Sequence, residues 1–270
     1  MELGLKGKHA IVTGGSRGIG KAIARELARE GVDLALVARS QEQLESAARE
    51  LEAETGQRII ALAADVTSKE QVDRMVAEAA ERLGGLHILV NSGSLPGGTA
   101  TGPIETIIDE ELLDDFNVKY MGALRCARAA IPYLKQQGWG RIINISGANA
   151  RNAGNLSGGA RNVSLVHFTK TLALQLGRHG ITVNCIHPGT TRTERTPRVL
   201  AARAAELRIS PEEAEQRDFA PDSPRGNAIG RMVDAAEIAY LTAFLASDKA
   251  WAVTGELIVA TGGAGRMVYY

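Results

Sequence analysis

Aromatic residues, cysteine and net charge are all scarce in this chain, and each scarcity narrows what it does. Only 4% of the 270 residues are aromatic, yet 44% are hydrophobic, so aliphatic side chains must fill a core large enough for one large domain or two small ones. That composition excludes disorder and collagen. The two cysteines, Cys126 and Cys185, are too few and too far apart for a disulfide framework or a metal cluster, and both lie in apolar stretches typical of buried thiols. No metal site is expected, and a reducing compartment fits. Thirty-one basic residues balance 31 acidic ones. The broad positive field of a nucleic-acid or anionic-membrane binder is therefore missing, which leaves a small molecule as the expected partner. No window reaches the roughly eighteen continuous apolar residues of a membrane span, and Met1 to Gly7 carries charge without a signal-like apolar run. These features predict a soluble, cytoplasmic protein.

What the chain does have is a rhythm. Short apolar runs at His9 to Gly14, Val32 to Ala38, Arg58 to Asp65, Leu86 to Ser92, Arg141 to Ser146, Ile181 to His187 and Leu257 to Gly262 read as strands. Most are apolar at consecutive positions, as strands covered on both faces must be. Between them apolar residues recur at helical spacing, as at Ile19, Ile23 and Leu27, or Val72, Met75, Val76, Ala79 and Leu83. The pattern predicts an α/β fold in one domain spanning 1–270: a doubly wound, Rossmann-type sheet of seven parallel strands with helices on both faces. Its ligand crevice should lie at the carboxyl ends of the strands. One segment, 190–232, breaks the rhythm with Pro197, Pro211, Pro221 and Pro224 and short helical patches such as Arg198 to Arg208. It is too long for an ordinary connection and is expected to cover the substrate as a lid.

The first strand runs through Thr13-Gly14-Gly15-Ser16-Arg17-Gly18-Ile19-Gly20 directly into a helix. Glycines let the backbone turn tightly beside a pyrophosphate, and the free N–H groups of the following helix stabilise its charge. The spacing of Gly14, Gly18 and Gly20, with Thr13 in front, resembles the short-chain dehydrogenase/reductase family, and the resemblance extends over nearly the whole chain. Asp65-Val66 is similar to the family's adenine-contacting pair. Asn91-Ser92-Gly93-Ser94 resembles its Asn-Asn-Ala-Gly turn, Asn117 stands where the resemblance implies a catalytic-helix asparagine, and Pro188-Gly189 with Thr193 is similar to its nicotinamide-side turn. An acid ending the second strand accepts bonds from the ribose of NAD, whereas arginine pairs with the 2'-phosphate of NADP. Here the strand ends Ala38-Arg39-Ser40, and Arg17 adds a second cation, so NADP(H) is the expected cofactor, preferred over NAD(H). The resemblance also implies a homo-oligomer, a dimer or more usually a tetramer, paired through Glu110 to Gln137 and Gly158 to Gly177.

In the family so resembled, a tyrosine transfers the proton while a lysine four residues later lowers its pKa and holds the nicotinamide ribose. A serine after the fifth strand orients the reacting group. A phenol ionises at about pH 10, so the cation is what makes it useful near neutrality. Counting back from Leu165 to Ala173 places the tyrosine position at Gly158 and the lysine position at Asn162. The span from Ile142 to Leu174 contains no tyrosine, and its sole lysine is Lys170. The resemblance leaves Asn117, Ser146 and Asn162 as the expected catalytic set, with Asn162 retaining a hydrogen bond to the ribose. Ser146, Asn149, Arg151 and Asn155, together with Tyr120 and His187, are candidate replacements for the proton donor, and no spacing singles one out. His167 reads as a packed or interface residue, and His9 and His87 sit at strand starts, opposite the crevice.

Three functions compete on these observations. The first is NADP(H)-dependent reduction of a carbonyl, or oxidation of a secondary alcohol, with a non-standard proton transfer. The second is a catalytically silent NADP(H)-binding sensor or partner subunit, and the third a non-redox lyase or hydratase in the same crevice. The intact cofactor apparatus favours the first.

Overall fold

The computed structural model describes residues 2–94, 100 and 102–266. Strands β1 (His9–Thr13), β2 (Asp33–Ala38), β3 (Ile59–Ala63) and β4 (Ile88–Asn91) alternate with helices α1 (Gly18–Arg29), α2 (Gln41–Thr55) and α3 (Lys69–Leu83). Helix α4 (Asp109–Phe116) continues through a single π turn, Asn117–Met121, into α5 (Gly122–Gln137). Strand β5 (Gly140–Ile145), a short 3₁₀ turn at Ala148–Arg151, α6 (Leu156–Leu176) and β6 (Ile181–Pro188) follow. Beyond them come β7 (Thr191–Arg192), α7 (Thr196–Leu207), α8 (Pro211–Asp218), β8 (Val233–Asp234), α9 (Ala235–Ala246) and β9 (Leu257–Ala260).

The period of two along the strands divides the core into two layers. Ala10 and Val12 of β1, Leu34 and Leu36 of β2 and Ile88 and Val90 of β4 face one layer, against Ile23 and Leu27 of α1 and Ile238 and Leu245 of α9. The intervening Ile11, Ala35, Val37 and Leu89 face the other, against Val72 and Val76 of α3, Cys126 and Ala130 of α5 and Leu165 of α6. Each of these larger side chains contributes about 1.5–3 kcal/mol by leaving water. Helices α2 and α3 start where Ser40 and Ser68 accept the N–H of Gln43 and Gln71, and they stop at left-handed Gly56 and Gly84.

All seven strands of the sheet run parallel in the order β3-β2-β1-β4-β5-β6-β9, a doubly wound sheet with helices on both faces. The chain winds outward from β1 to β3, then returns to lay β4 beside β1, so the crevice of the switch point opens beyond Thr13 and Asn91, which are register partners. Every expected strand is found, with its ends displaced by at most two residues because the ladders stop where the backbone peels away into the loops.

The segment 190–232 is more ordered than its composition implies. Helix α7 begins at Thr196, ahead of the expected Arg198, because Pro197 occupies a first-turn position where its missing N–H costs nothing. Ser210 and Glu213 form a capping box that starts α8. Leu200, Phe219 and Met232 bury a small core of their own. Far from this end, the His9 N–H donates to Nδ1 of His87 at 3.1 Å, and burial pushes the His87 pKa down to about 4. Among the described residues no helix is long and apolar enough to cross a membrane, and no group of three or more His, Cys, Asp or Glu is placed to hold a metal ion.

Candidate active site

The glycine loop is shaped by two steric necessities. Gly14 adopts φ +66°, and a Cβ there would lie 2.9 Å from the Ser92 carbonyl oxygen; a Cβ at Gly20 would lie 2.3 Å from the carbonyl of Gly14. Thr13 ties this loop to the one after β4, its hydroxyl accepting the N–H groups of Ser92 and Gly93 at 3.0 and 3.1 Å. Helix α1 then begins at Gly18 with no side-chain cap and no acid in its first turn. Its orphan N–H groups and positive dipole end therefore face the crevice. One is engaged: the Gly18 N–H donates to Oε2 of Glu194, reaching in from the loop after β7, at 3.0 Å.

A cavity of about 520 Å³ runs along the carboxyl ends of the strands from this loop in both directions. Gly14, Ser16, Arg17, Gly18, Ile19 and Gly20 form its floor. Toward one end it is bordered by Ala38, Arg39, Ser40 and Gln43, with Asp65 and Val66 opposite. Arg17 and Arg39 are both exposed, and no acid stands at the end of β2. Burial pushes the Asp65 carboxyl up, but the N–H and hydroxyl of Thr67, with Arg39 and Arg125 behind them, hold it below its ordinary value. It stays a charged acceptor beside the arginines.

Toward the other end the cavity reaches Gly93, Val118, Lys119, Ser146, Pro188 and Thr193. Here the polar groups are buried. Lys119, only 6% exposed, donates from Nζ to the Ser146 carbonyl at 2.9 Å, and the Ser146 hydroxyl donates to the Asn162 carbonyl at 3.0 Å. Burial pushes the Lys119 pKa down to about 7, helped by the charge of Arg161 and opposed by Cys185 and Asp115. Arg161 and Asp115 form a buried ion pair behind it. His187, fully buried at the end of β6, has neither ring nitrogen hydrogen-bonded among the described residues. Burial, then the charges of Arg151 and Lys119, push its pKa down to about 4, so it is neutral at physiological pH.

Several expected site residues lie elsewhere. Asn117 does not border the cavity: its side-chain oxygen accepts from Arg125 at 2.9 Å, and the π turn carries Lys119, two residues on, to the cavity wall instead. Thr13 and Asn91 are structural ties just beneath the floor, Asn91 donating to Asn144 at 2.9 Å. Gly189 is packed against Thr261, whose Cα would lie 2.8 Å from a Cβ there. Asn162 is buried behind Ser146, its side-chain oxygen without a hydrogen-bond partner among the described residues. Gly158 lies inside α6 without positive φ, so no conformational requirement for glycine exists there; a Cβ would lie 2.7 Å from Oδ1 of Asn155, which caps the helix by accepting the Gly158 N–H. Asn155 is thereby committed as a cap. Tyr120 packs edge-on against Phe116 and Phe168 at 6.4 and 5.9 Å between centroids, and does not line the cavity.

Lys119 and Glu194 were missed by reading motifs, and for Lys119 the signal was present. Leu134, Ala130, Cys126, Gly122, Lys119 and Asp115 succeed one another at three and four residues and all are buried. Lys119 thus occupies a core position of a helical repeat, where an unpaired cation is costly and calls for a reason.

Residues 8–204 match the short chain dehydrogenase family. A putative ketoacyl reductase from Streptomyces coelicolor is 34% identical over 263 residues, 95% of this chain and 97% of that protein. The NADPH-dependent reductase BacG from Bacillus subtilis is 31% identical over 264 residues, 97% of this chain and 99% of that protein. The crystal structure of L-sorbose reductase from Gluconobacter frateurii, complexed with NADPH and L-sorbose, superposes with a TM-score of 0.92 at 30% identity, covering 99% of this chain and 100% of that one. Similarity that runs the full length of both chains, on a parallel sheet whose switch point opens at a glycine loop, makes this protein a member of the short-chain dehydrogenase/reductase family.

Proposed function

We propose that the protein is an NADP(H)-dependent oxidoreductase acting on the carbonyl or secondary alcohol of a small molecule, with a proton-transfer arrangement that does without tyrosine. The observation that carries this reading is the cavity itself: one continuous space joins an end with two exposed cations, Arg17 and Arg39, and no acid at the end of β2, to an end where Lys119 and Ser146 wait. The cradle suits a dinucleotide because Gly14 and Gly20 leave no Cβ in it and the N-cap residue Arg17 places no side chain on the N–H groups of α1, of which that of Gly18 is held by Glu194. The names of the relatives, reductases described with NADPH, support the same cofactor.

On this reading Arg17 and Arg39 hold the 2'-phosphate, the amides of the glycine loop hold the pyrophosphate, and Asp65 and Val66 flank the adenine. Asn162 supports Ser146 from behind, its carbonyl accepting the Ser146 hydroxyl. Bound NADPH supplies a hydride. The residues of this chain exclude water, orient the carbonyl through Ser146 and Lys119, and provide the proton. Segment 190–232 closes over the substrate, with Thr193 and Glu194 at its hinge side. Val163 and Leu174 on one exposed face of α6, and Leu113 on α4, are 50%, 79% and 65% exposed, which supports pairing of these helices in a homo-oligomer.

Calorimetric titration with NADPH and NADH, beside a carbonyl panel, tests the proposal. At least about tenfold tighter binding of NADPH, with turnover of a ketone, is expected. The competing reading, a silent NADP(H)-binding subunit, draws on Gly158 at the tyrosine position and predicts the same binding with no turnover. Equal affinity for the two cofactors overturns both.

A further inference from the structure

The lysine position of α6 holds Asn162, yet the site does not lack a lysine. Lys119 comes from a different element, the π turn between α4 and α5, and places its Nζ against the carbonyl of Ser146, the residue at the end of β5 that borders the same cavity. Among the described residues that carbonyl is its only hydrogen-bond partner, so two of the three N–H bonds of the ammonium are not committed to any of them. The π turn explains how a charged side chain reaches this place. An added residue in the turn rotates the helix face that precedes it, and such single-turn departures cluster at functional sites.

We propose that Lys119 is the proton donor of this enzyme, one lysine doing the work of the absent tyrosine and its cation. The inference rests on the reductase reading above. In carbonyl reduction the carbonyl carbon gains hydride from the reduced nicotinamide, which is thereby oxidised, and the π pair of the C=O bond moves to oxygen. That oxygen forms its O–H bond with a proton from Nζ, the Nζ–H bond breaks, and a neutral amine remains that regains a proton from water after product leaves. An ammonium able to lose a proton near neutrality is what this step needs. The surroundings supply it. Burial disfavours the charge, and so does Arg161 on α6; the ring of His187 on β6 is itself held neutral, by burial and then the charges of Arg151 and Lys119, and brings no charge to the site. Asp115 on α4 and Cys185 on β6 act in the opposite sense, keeping the group from being neutral altogether.

The test combines variants with a direct titration. In protein carrying ¹³C-labelled lysine, the Cε resonance that disappears in Lys119→Met is followed against pH in the absence of cofactor; a midpoint close to 7 is expected. Lys119→Met should keep NADPH affinity within about threefold while kcat for ketone reduction falls by about 100-fold or more. Lys119→Arg should be equally slow, since a guanidinium keeps the charge but releases no proton near neutrality. The wild-type kcat should fall as pH rises through about 7, and the residual rate of both variants should lack that step. An active protein whose Lys119→Met or Lys119→Arg variant keeps its kcat, or whose Lys119 resonance titrates at the ordinary lysine value, overturns the donor assignment and leaves the reductase reading standing. A protein that binds NADPH but reduces no carbonyl overturns both together.

Discussion

The two ends of the cavity are made of opposite materials. Near Arg17 and Arg39 the charges are exposed and the recognition surface is mostly backbone, shaped by glycines that cannot be anything else. Near Lys119 the charges are buried, and they are surrounded by groups from other elements: Asp115 from α4, the backbone carbonyl of Ser146 just after β5, Arg161 from α6 and His187 from β6. An exposed arginine needs no partner to be stable, whereas a buried lysine is defined by what surrounds it. The first end should therefore respond to substitution locally and additively, and the second as a unit.

Breaking the cradle should have the largest effect. Gly20→Val sets a side chain against the Gly14 carbonyl, and NADPH affinity should fall by about 100-fold, or about 2.7 kcal/mol, in calorimetry. Lysine resonances at the other end should stay in place if the two ends are independent. Next comes the buried pair: Asp115→Asn removes the carboxylate that Arg161 meets behind Lys119, at a cost of about 3–5 kcal/mol in urea unfolding. Because Asp115 supports the charge on Lys119, the Lys119 titration should also move to lower pH, a coupling that no exposed arginine at the cofactor end should produce.

Lys119→Met should stabilise the fold by an amount on the order of a few kcal/mol at low pH, with a size set by pH. The folded pKa of about 7 lies below that of an unfolded lysine, so the unfolded chain binds the extra proton between about pH 7 and 10. Wild-type stability then rises across that window. The advantage of the methionine variant should be full below pH 7 and vanish near pH 10; an advantage independent of pH would mean that Lys119 is not held out of water. The smallest effect is expected from Arg39→Ala, which should weaken NADPH by about 1.5 kcal/mol and leave NADH nearly unchanged.

The contrast also explains what was legible in the sequence. Seven strands could be placed to within two residues because each carries its period in its own few residues. The glycine loop could be read for the same reason, its spacing being a local demand of one backbone turn. Asn117 matches a family motif by its letter alone: the π turn shifts the helical phase, and the residue facing the crevice is Lys119. The setting of that lysine rests on a contact with Ser146, 27 positions later in the chain, and on the charge of Arg161 beyond it. No local spacing encodes those meetings. The embrace of Gly18 by Glu194, 176 positions apart, was equally invisible.

That last contact changes what entry into the glycine loop means. With a carboxylate already seated on the Gly18 amide, an incoming phosphate does not fill a vacant seat but evicts a tenant, and two anions will not share so small a space. The free energy of association is then the difference between two charge-assisted bonds rather than the worth of one. Glu194 belongs to the stretch of chain that leads into α7, so on the proposed cofactor reading a phosphate that displaced it would release the start of that helix from the glycine loop.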